Sequence, residues 1–467
     1  MKQRIHFATL CLLISFGVIV LAGRASGQVL AERSFSATKR SEVLLDLTAS
    51  SPGASWIEAG REAAALRLLV DGAYQQDLLL YGGAKPFTYQ LSLGEVAAGE
   101  HTLRIELNRG QTARGLTGAG GAPIAAVAPV APVAPVAPVA AVTAVGIRLV
   151  DEGQADFTPL AHAPVLYARP DTIGRFSDVP LLMYYETERQ GESTIYRYTV
   201  IFSNEDGGTQ TSGLMARWGR TTDIEWVSEV HLDPRGKVIR EIYQGVNHET
   251  KDFAGKKQGA HPELLIASVN NNFADQRTSD LRFALYPIAV DLTKASREVL
   301  MDRQTWIYRV MAEEMIREKK ITTDRTLGES IIDLRHYLYL DVQSTQRNGG
   351  VISFAVKLKG DPKWYTSNLG INSYKVERSG YFRTTIPLPA GARTERIERL
   401  AVRCDVGTNP RTRDEVTKAT TATCDLQGIN KVFFLDRNFQ PSTTVPVRFS
   451  PHSLSFGEVE EIGIGRQ

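Results

Sequence analysis

In Phe87-Thr88-Tyr89-Gln90-Leu91-Ser92-Leu93 every second side chain is large and apolar, and the same alternation returns in Leu103-Arg104-Ile105-Glu106-Leu107-Asn108. A period of two places successive side chains on opposite faces of a strand, so both stretches read as half-buried strands. Working back toward the N-terminus, Glu42 to Thr48 and Ala65 to Val70 are also short and apolar. Asp71-Gly72 and Tyr81-Gly82-Gly83 follow as turns. Short strands at this spacing predict an antiparallel β-sandwich over residues 28–150.

Forward of these strands the sandwich is interrupted at 110–142 by a Gly/Ala/Pro-rich insertion, in which Pro129, Pro132, Pro135 and Pro138 recur every third residue. Proline fixes φ and removes a backbone donor, so polyproline II is the expected conformation there. The insertion reads either as a spacer between domains or as a long loop within one. Thr143 to Val150 has the apolar content of a last strand and could complete the sandwich from beyond it. Residues 155–330 then mix strands, Tyr196 to Phe202 and Asp223 to Val230 among them, with one long amphipathic helix over Ser296 to Lys320. Residues 331–467 return to strands, and Tyr337 to Val342 and Val351 to Leu358 are expected to form a hairpin across Asn348-Gly349-Gly350. The fold class is therefore mainly β.

The chain has 467 residues, 43% hydrophobic and 23% charged, with 54 basic against 52 acidic side chains. A net charge of +2 offers no electrostatic footprint for nucleic acid. Residues 1–27 read as a signal peptide. Lys2 and Arg4 precede an uncharged apolar run from Phe7 to Gly23, and Ala25-Ser26-Gly27 supplies small residues for cleavage before Gln28. Arg24 stands where a lipidated cysteine would be required, so a non-lipidated, secreted or periplasmic product without a membrane span is expected. Cleavage removes Lys2, Arg4 and Arg24, leaving 51 basic against 52 acidic side chains, and it also removes Cys11. Cys404 and Cys424 remain, each in strand-like surroundings. An oxidising compartment favours a bridge between them worth ~3 kcal/mol, the alternative being two half-buried thiols.

With period two, Asp223, Glu225, Glu229 and His231 project from one face of a strand. Carboxylates beside a histidine can bind Ca²⁺ or another divalent metal, or work as an acid–base pair; the plainer reading is a solvated strand face. His248-Glu249 and His261 with Glu263 form a second group, whose spacing matches no zinc pattern. Asn270-Asn271-Asn272 with Asp275 could offer side-chain oxygens to a sugar or Ca²⁺, or could simply form turns. Ser203 to Thr209 lacks the spacing of a calcium loop and reads as a polar turn. The chain holds no G-x-S-x-G, no P-loop and no H-E-x-x-H. Glycosidases stay open, since their paired carboxyls have no short signature.

Two resemblances go beyond these patterns. Ala98 to Ile105 resembles the penultimate strand of jelly-roll modules of the carbohydrate-binding type. His162-Ala163-Pro164-Val165-Leu166-Tyr167-Ala168-Arg169-Pro170-Asp171, Thr222-Asp223-Ile224-Glu225-Trp226 and His261-Pro262-Glu263-Leu264-Leu265-Ile266-Ala267 together resemble the vacuolar-protein-sorting-associated family numbered sixty-two in the yeast series, which has bacterial members. That likeness runs over residues 158–275 and departs at Ile224, which separates Asp223 from Glu225, and at the missing His after Trp226. It implies a β-rich fold and no established activity. The expected function is that of an exported binding or structural protein of the cell envelope, recognising polysaccharide through the N-terminal sandwich. The alternative is a secreted hydrolase in which Asp223, Glu225, His231 and His261 converge in one cleft.

Overall fold

The computed structural model describes residues 28–117, 138–169, 176–323, 326–407 and 421–465. The expected export signal, and residues 118–137 of the expected 110–142 insertion, lie outside the described residues.

Seven strands build the N-terminal part: β1 (Val29–Ala37), β2 (Ser41–Ser50), β3 (Ala65–Val70), β4 (Ala73–Leu79), β5 (Phe87–Val96), β6 (Gly99–Leu107) and β7 (Ala141–Asp151). They form two antiparallel sheets, ordered β1-β6-β3-β4 and β5-β2-β7. Tyr89, Leu91, Leu93, Leu103, Ile105 and Leu107 are all buried, as their alternation requires. Asp71 and Gly72, both at positive φ, make the tight turn between β3 and β4. After the Pro-rich stretch the chain comes back to the same sandwich, where β7 pairs with β2 through Leu45 opposite Ile147.

The central layer contains β8 (Val165–Tyr167), β9 (Pro180–Gln190), β10 (Ser193–Phe202), β11 (Ile224–Leu232) and β12 (Val238–Gln244). Strands β9 to β12 run antiparallel in one sheet, with Thr250–Asp252 added beyond β12 and Pro287–Ala289 parallel to β9. A smaller sheet grows from β8 and the strand His261–Ile266, which run parallel. Leu45 and Tyr89 of the sandwich share one core with Tyr198 and Val200 of β10 and with Met311. The N-terminal sandwich and the central layer therefore bury each other.

The helix expected over 296–320 is two shorter ones, Val299–Arg303 and Trp306–Arg317, because Gln304 leaves the helical region at φ −117° and ψ 64°. The break lets Trp306 stack on Tyr81 at 5.3 Å while its indole N–H donates to Gln304 Oε1 at 3.0 Å. Ile307, Val310, Met311 and Met315 still face inward, but Ile316 is exposed. Among the described residues no helix is long and apolar enough to cross a membrane.

The C-terminal part is a second sandwich with its own core, including Leu340, Phe354, Phe382 and Val402. One sheet pairs Tyr337–Arg347 with Gly380–Pro387 and Thr423–Phe433. The other pairs Gly350–Leu358 with Trp364–Thr366 and Ile397–Val406. The expected hairpin is thus an arch. Leu338, Leu340 and Val342 meet Ile352, Phe354 and Val356 across the core from opposite sheets, because both strands carry an apolar face that must be covered. Asn348 and Gly349, both at positive φ, turn the chain from one sheet to the other. A disulfide between Cys404 and Cys424 joins the two layers. Arg383, fully buried, reaches Asp341 at 2.6 and 2.9 Å and Asp302 at 2.9 Å, and so fastens this sandwich to the 299–303 helix.

Candidate active site

Phe202 N–H donates to Asp223 O at 2.9 Å, so the end of β10 and the approach to β11 leave the central sheet side by side. This junction brings Asn204 and Glu205 beside Asp223 and Glu225. The end of β12 supplies Gln244, the turn that follows supplies His248, and the loop after the His261–Ile266 strand supplies Asn270 to Asn272. Loop segments at the end of a rigid sheet are a common place for chemistry.

The groups step inward from solvent. The His248 side chain is 51% exposed and that of Glu225 is 16% exposed, while Glu205 and Asp223 are buried. Gln244 Nε2 lies 2.5 Å from Glu225 Oε2 and 2.5 Å from His248 Nδ1, and that ring nitrogen is 3.8 Å from the same carboxyl oxygen. Asn272 Nδ2 approaches His248 Nδ1 at 3.3 Å. With its amide turned to satisfy both ends, Asn270 donates to Glu205 Oε1 at 2.9 Å and accepts from His248 Nε2 at 2.8 Å. These partners fit the Nε2–H tautomer, whose Nδ1 lone pair faces Gln244, Asn272 and Glu225. Deeper in, Asn271 Nδ2 donates to Asp223 Oδ2 at 3.0 Å.

Burial, and then the Asp223 charge, push the Glu205 carboxyl up to about 9 and that of Glu225 up to about 8. Arg220 pulls both back only in part. Asp223 is raised by burial as well, against the opposing pull of Arg220 and the Asn271 hydrogen bond. Three carboxyls this close cannot all ionise, so at neutral pH the cluster holds protons. The amide oxygens of Asn204, Asn271 and Gln244 are buried here without a hydrogen-bond partner. Among the described residues no group of three or more His, Cys, Asp or Glu is arranged to hold a metal ion.

The structure therefore brings Asp223 and Glu225 together with Asn270, Asn271 and Asn272, but not with the other expected residues. His231 lies 3.1 Å from Glu229, which is paired to Arg197 at 2.7 Å. A β-bulge explains the separation. Ser228 opposes Tyr198 but Trp226 opposes Thr199, leaving Val227 as an extra residue. Glu225 then faces Val200 and Glu229 faces Arg197, and these lie three apart on β10, on opposite faces. His261 is fully inside the seam with the N-terminal sandwich, 3.2 Å from Glu42 of β2 and 2.9 Å from Ala163 O. Asp275 accepts from Tyr243 Oη at 3.2 Å and from Ala254 N at 2.8 Å, serving to hold a loop.

No family model matches the chain, and no curated protein matches it. Among solved structures, a GH2 β-galacturonidase from Eisenbergiella tayi bound to glycerol is similar over 48% of this chain and 27% of its own length, at 12% identity and a TM-score of 0.14. A likeness this loose carries no argument about fold or activity.

Glu205 and Gln244 are the members that sequence reasoning misses, and His248 belongs with Glu225 rather than with His261. A faint sign was there for Glu205. The run Asn204-Glu205-Asp206 directly follows an apolar strand, as Thr222-Asp223 directly precedes one, and strand ends that meet in a sheet share their polar neighbours.

Proposed function

We propose that this chain is an acid-catalysed hydrolase of glycosides, with Glu225 as proton donor and His248 as the neighbouring group that restores its proton. The observation that carries the reading is a carboxyl pushed up to about 8 at the boundary of the interior, 3.8 Å from an exposed imidazole. A general acid must hold its proton at the working pH and reach its substrate. Glu225 passes that proton to the glycosidic oxygen as the C–O bond breaks. Water adds to the anomeric carbon and releases its proton to solvent, and His248, 3.8 Å from Glu225 and open to solvent, relays a proton back to the Glu225 carboxylate. Asp223 keeps Glu225 protonated, and Gln244 positions both partners. The apolar run and cleavage-type residues before Gln28, together with the Cys404–Cys424 bond, support export to an oxidising compartment.

Release of reducing ends or nitrophenol from a panel of polysaccharides and nitrophenyl glycosides tests this. E225Q is expected to lower kcat by ~10²–10⁴. A fully active E225Q, or no turnover across the panel, would refute the assignment.

A second reading is favoured by one observation, the partnerless amide oxygens of Asn204, Asn271 and Gln244 beside three carboxyls. An oxygen-only set suits Ca²⁺. On that reading millimolar Ca²⁺ raises Tm, and an unmoved Tm removes it.

A further inference from the structure

Register on the C-terminal sandwich places a row of side chains on the outer face of one sheet. Ala355 opposes Thr366 on one side and Ala401 on the other, and Ala401 opposes Glu461. One step along, Ser353 opposes Arg403, which in turn opposes Val459. Directly opposed residues share a face, so all of these point away from the core lined by Ile352, Phe354 and Val356. The two alanines leave a floor between taller neighbours, and the result is a groove of about 520 Å³ with Trp364 on one wall. That volume lies in the range of ligand sites, ~300–1,000 Å³.

Its chemistry is specific. The Trp364 side chain is exposed, at 39%, and makes no ring or cation contact among the described residues. A part-open indole on the wall of a groove can take the apolar face of a ligand. Among the described residues Ser353 Oγ and Thr366 Oγ1 have no hydrogen-bond partner, and Asn368 uses only its Nδ2, toward Ile371 O at 3.1 Å. The charges, by contrast, are already matched. Asp405 binds Lys375 at 2.8 Å and Arg403 at 2.9 Å, while Glu461 binds Arg399 at 3.1 Å. An anion or cation entering the groove would have to displace a partner, whereas a neutral ligand with hydroxyls and one apolar face would not.

We infer that this groove is a binding site for neutral polysaccharide chains, whose sugar rings lay their C–H faces on Trp364 and their hydroxyls on Ser353, Thr366 and Asn368. The site is independent of the carboxyl cluster, and it places glycan recognition on the C-terminal sandwich rather than the N-terminal one. A cavity bordering the N-terminal sandwich, between Tyr89 and Trp306, holds only about 60 Å³.

The experiment uses the full chain in affinity electrophoresis and calorimetry. The probes are neutral glucan, mannan and xylan, with alginate and polygalacturonate as anionic controls. The expected result is binding to at least one neutral polymer, weakened at least about tenfold in W364A, as for loss of an aromatic anchor. A355R, which fills the floor from its partly exposed alanine, is expected to abolish binding while Tm stays close to that of the unmodified chain. Turnover of a small nitrophenyl glycoside at the carboxyl cluster is expected to be unchanged in both variants, which separates failure of this site from failure of the hydrolase reading. Binding to none of the neutral polymers, binding only to the anionic ones, or undiminished binding by both variants would overturn the inference.

Discussion

Replacing Glu225 by Gln separates a carboxyl that carries a proton from one that carries a charge. The folded chain holds this proton up to about pH 8, while an unfolded glutamic acid releases it near 4.5. Between those values the folded state binds more protons than the unfolded state, so stability falls as pH rises through the window, and it is fully present only below it. Each pH unit of separation corresponds to about 1.4 kcal/mol, which at pH 7.5 amounts to about 4 kcal/mol for a carboxyl acting alone. Glu205 and Asp223 share the charge of the cluster, so the amide, a neutral mimic of the protonated acid, is expected to recover roughly half of that, about 2 kcal/mol. At pH 4.5 the gain is expected to fall within about 0.5 kcal/mol of zero. Urea denaturation of both chains at the two pH values measures the difference directly. E225Q would then be more stable at pH 7.5 and inactive, the combination expected of an acid held ready for catalysis. Equal destabilisation at both pH values would refute the reasoning, because it would mean that Glu225 is an ionised partner in the native fold.

Three further outcomes follow from the fold. Reducing the bond between Cys404 and Cys424, 20 residues apart, should lower the stability of the C-terminal sandwich by ~3 kcal/mol in urea melts with and without dithiothreitol, and thiol titration of the unreduced, denatured chain should find neither cysteine free. Arg383→Met strands Asp341 in the interior, while Asp302 keeps Lys431 at 2.7 Å, and should cost ~3 kcal/mol in the same assay; a loss below 1 kcal/mol would mean that Asp341 has relaxed to solvent. Burial lowers the His261 pKa, but Glu42 outweighs it and the net direction is upward, so that pair stabilises most below pH 6.5 and fades as pH climbs through the folded value. Glu42→Gln should therefore cost more at pH 6 than at pH 9, as read by calorimetry.

Strand alternation made the N-terminal sandwich and the individual C-terminal strands legible, because Tyr89, Leu91 and Leu93 or Ile352, Phe354 and Val356 can satisfy a period of two in only one way. What alternation cannot tell is which sheet a strand joins. Asn348-Gly349 reads equally well as a hairpin turn or as an arch, and only the need to cover both apolar faces decides between them. The split of the helix at Gln304 was hidden for a similar reason, since Trp306 is drawn to Tyr81, more than two hundred residues away. At the candidate site, Asp223 and Glu225 lie two apart at the start of one strand and could be found. A single extra residue at Val227 reversed the face of His231, and a bulge leaves no mark in the pattern of residue types. Glu205 and Gln244 come from other segments, so only the pairing of β10, β11 and β12 could place them.

The arginines are distributed unevenly among the buried acids. Glu298 is also fully buried, yet despite that burial Arg220, Arg378 and Arg297 hold its carboxyl down at about 2, with Arg220 Nε at 3.1 Å. It is an ion pair of the ordinary structural kind. Arg297 gives its guanidinium to Ile224 O at 2.7 Å, on the strand that carries Glu225, and the acid itself has Gln244 rather than a cation as its close partner. A fold that needed these carboxyls only for stability would do better to neutralise them with the cations already present, or to replace them with apolar side chains. Asp178 and Glu314 are raised too, but both are sealed from solvent, and so neither can exchange a proton with a substrate. Glu225 combines a raised pKa with an outlet, through His248, to the surface. If the cluster were structural, E205Q and E225Q would be interchangeable in every assay. If Glu225 is the donor, both substitutions stabilise the chain at pH 7.5, but only E225Q removes the acid that meets substrate. E205Q should retain turnover, with the basic limb of its pH profile displaced.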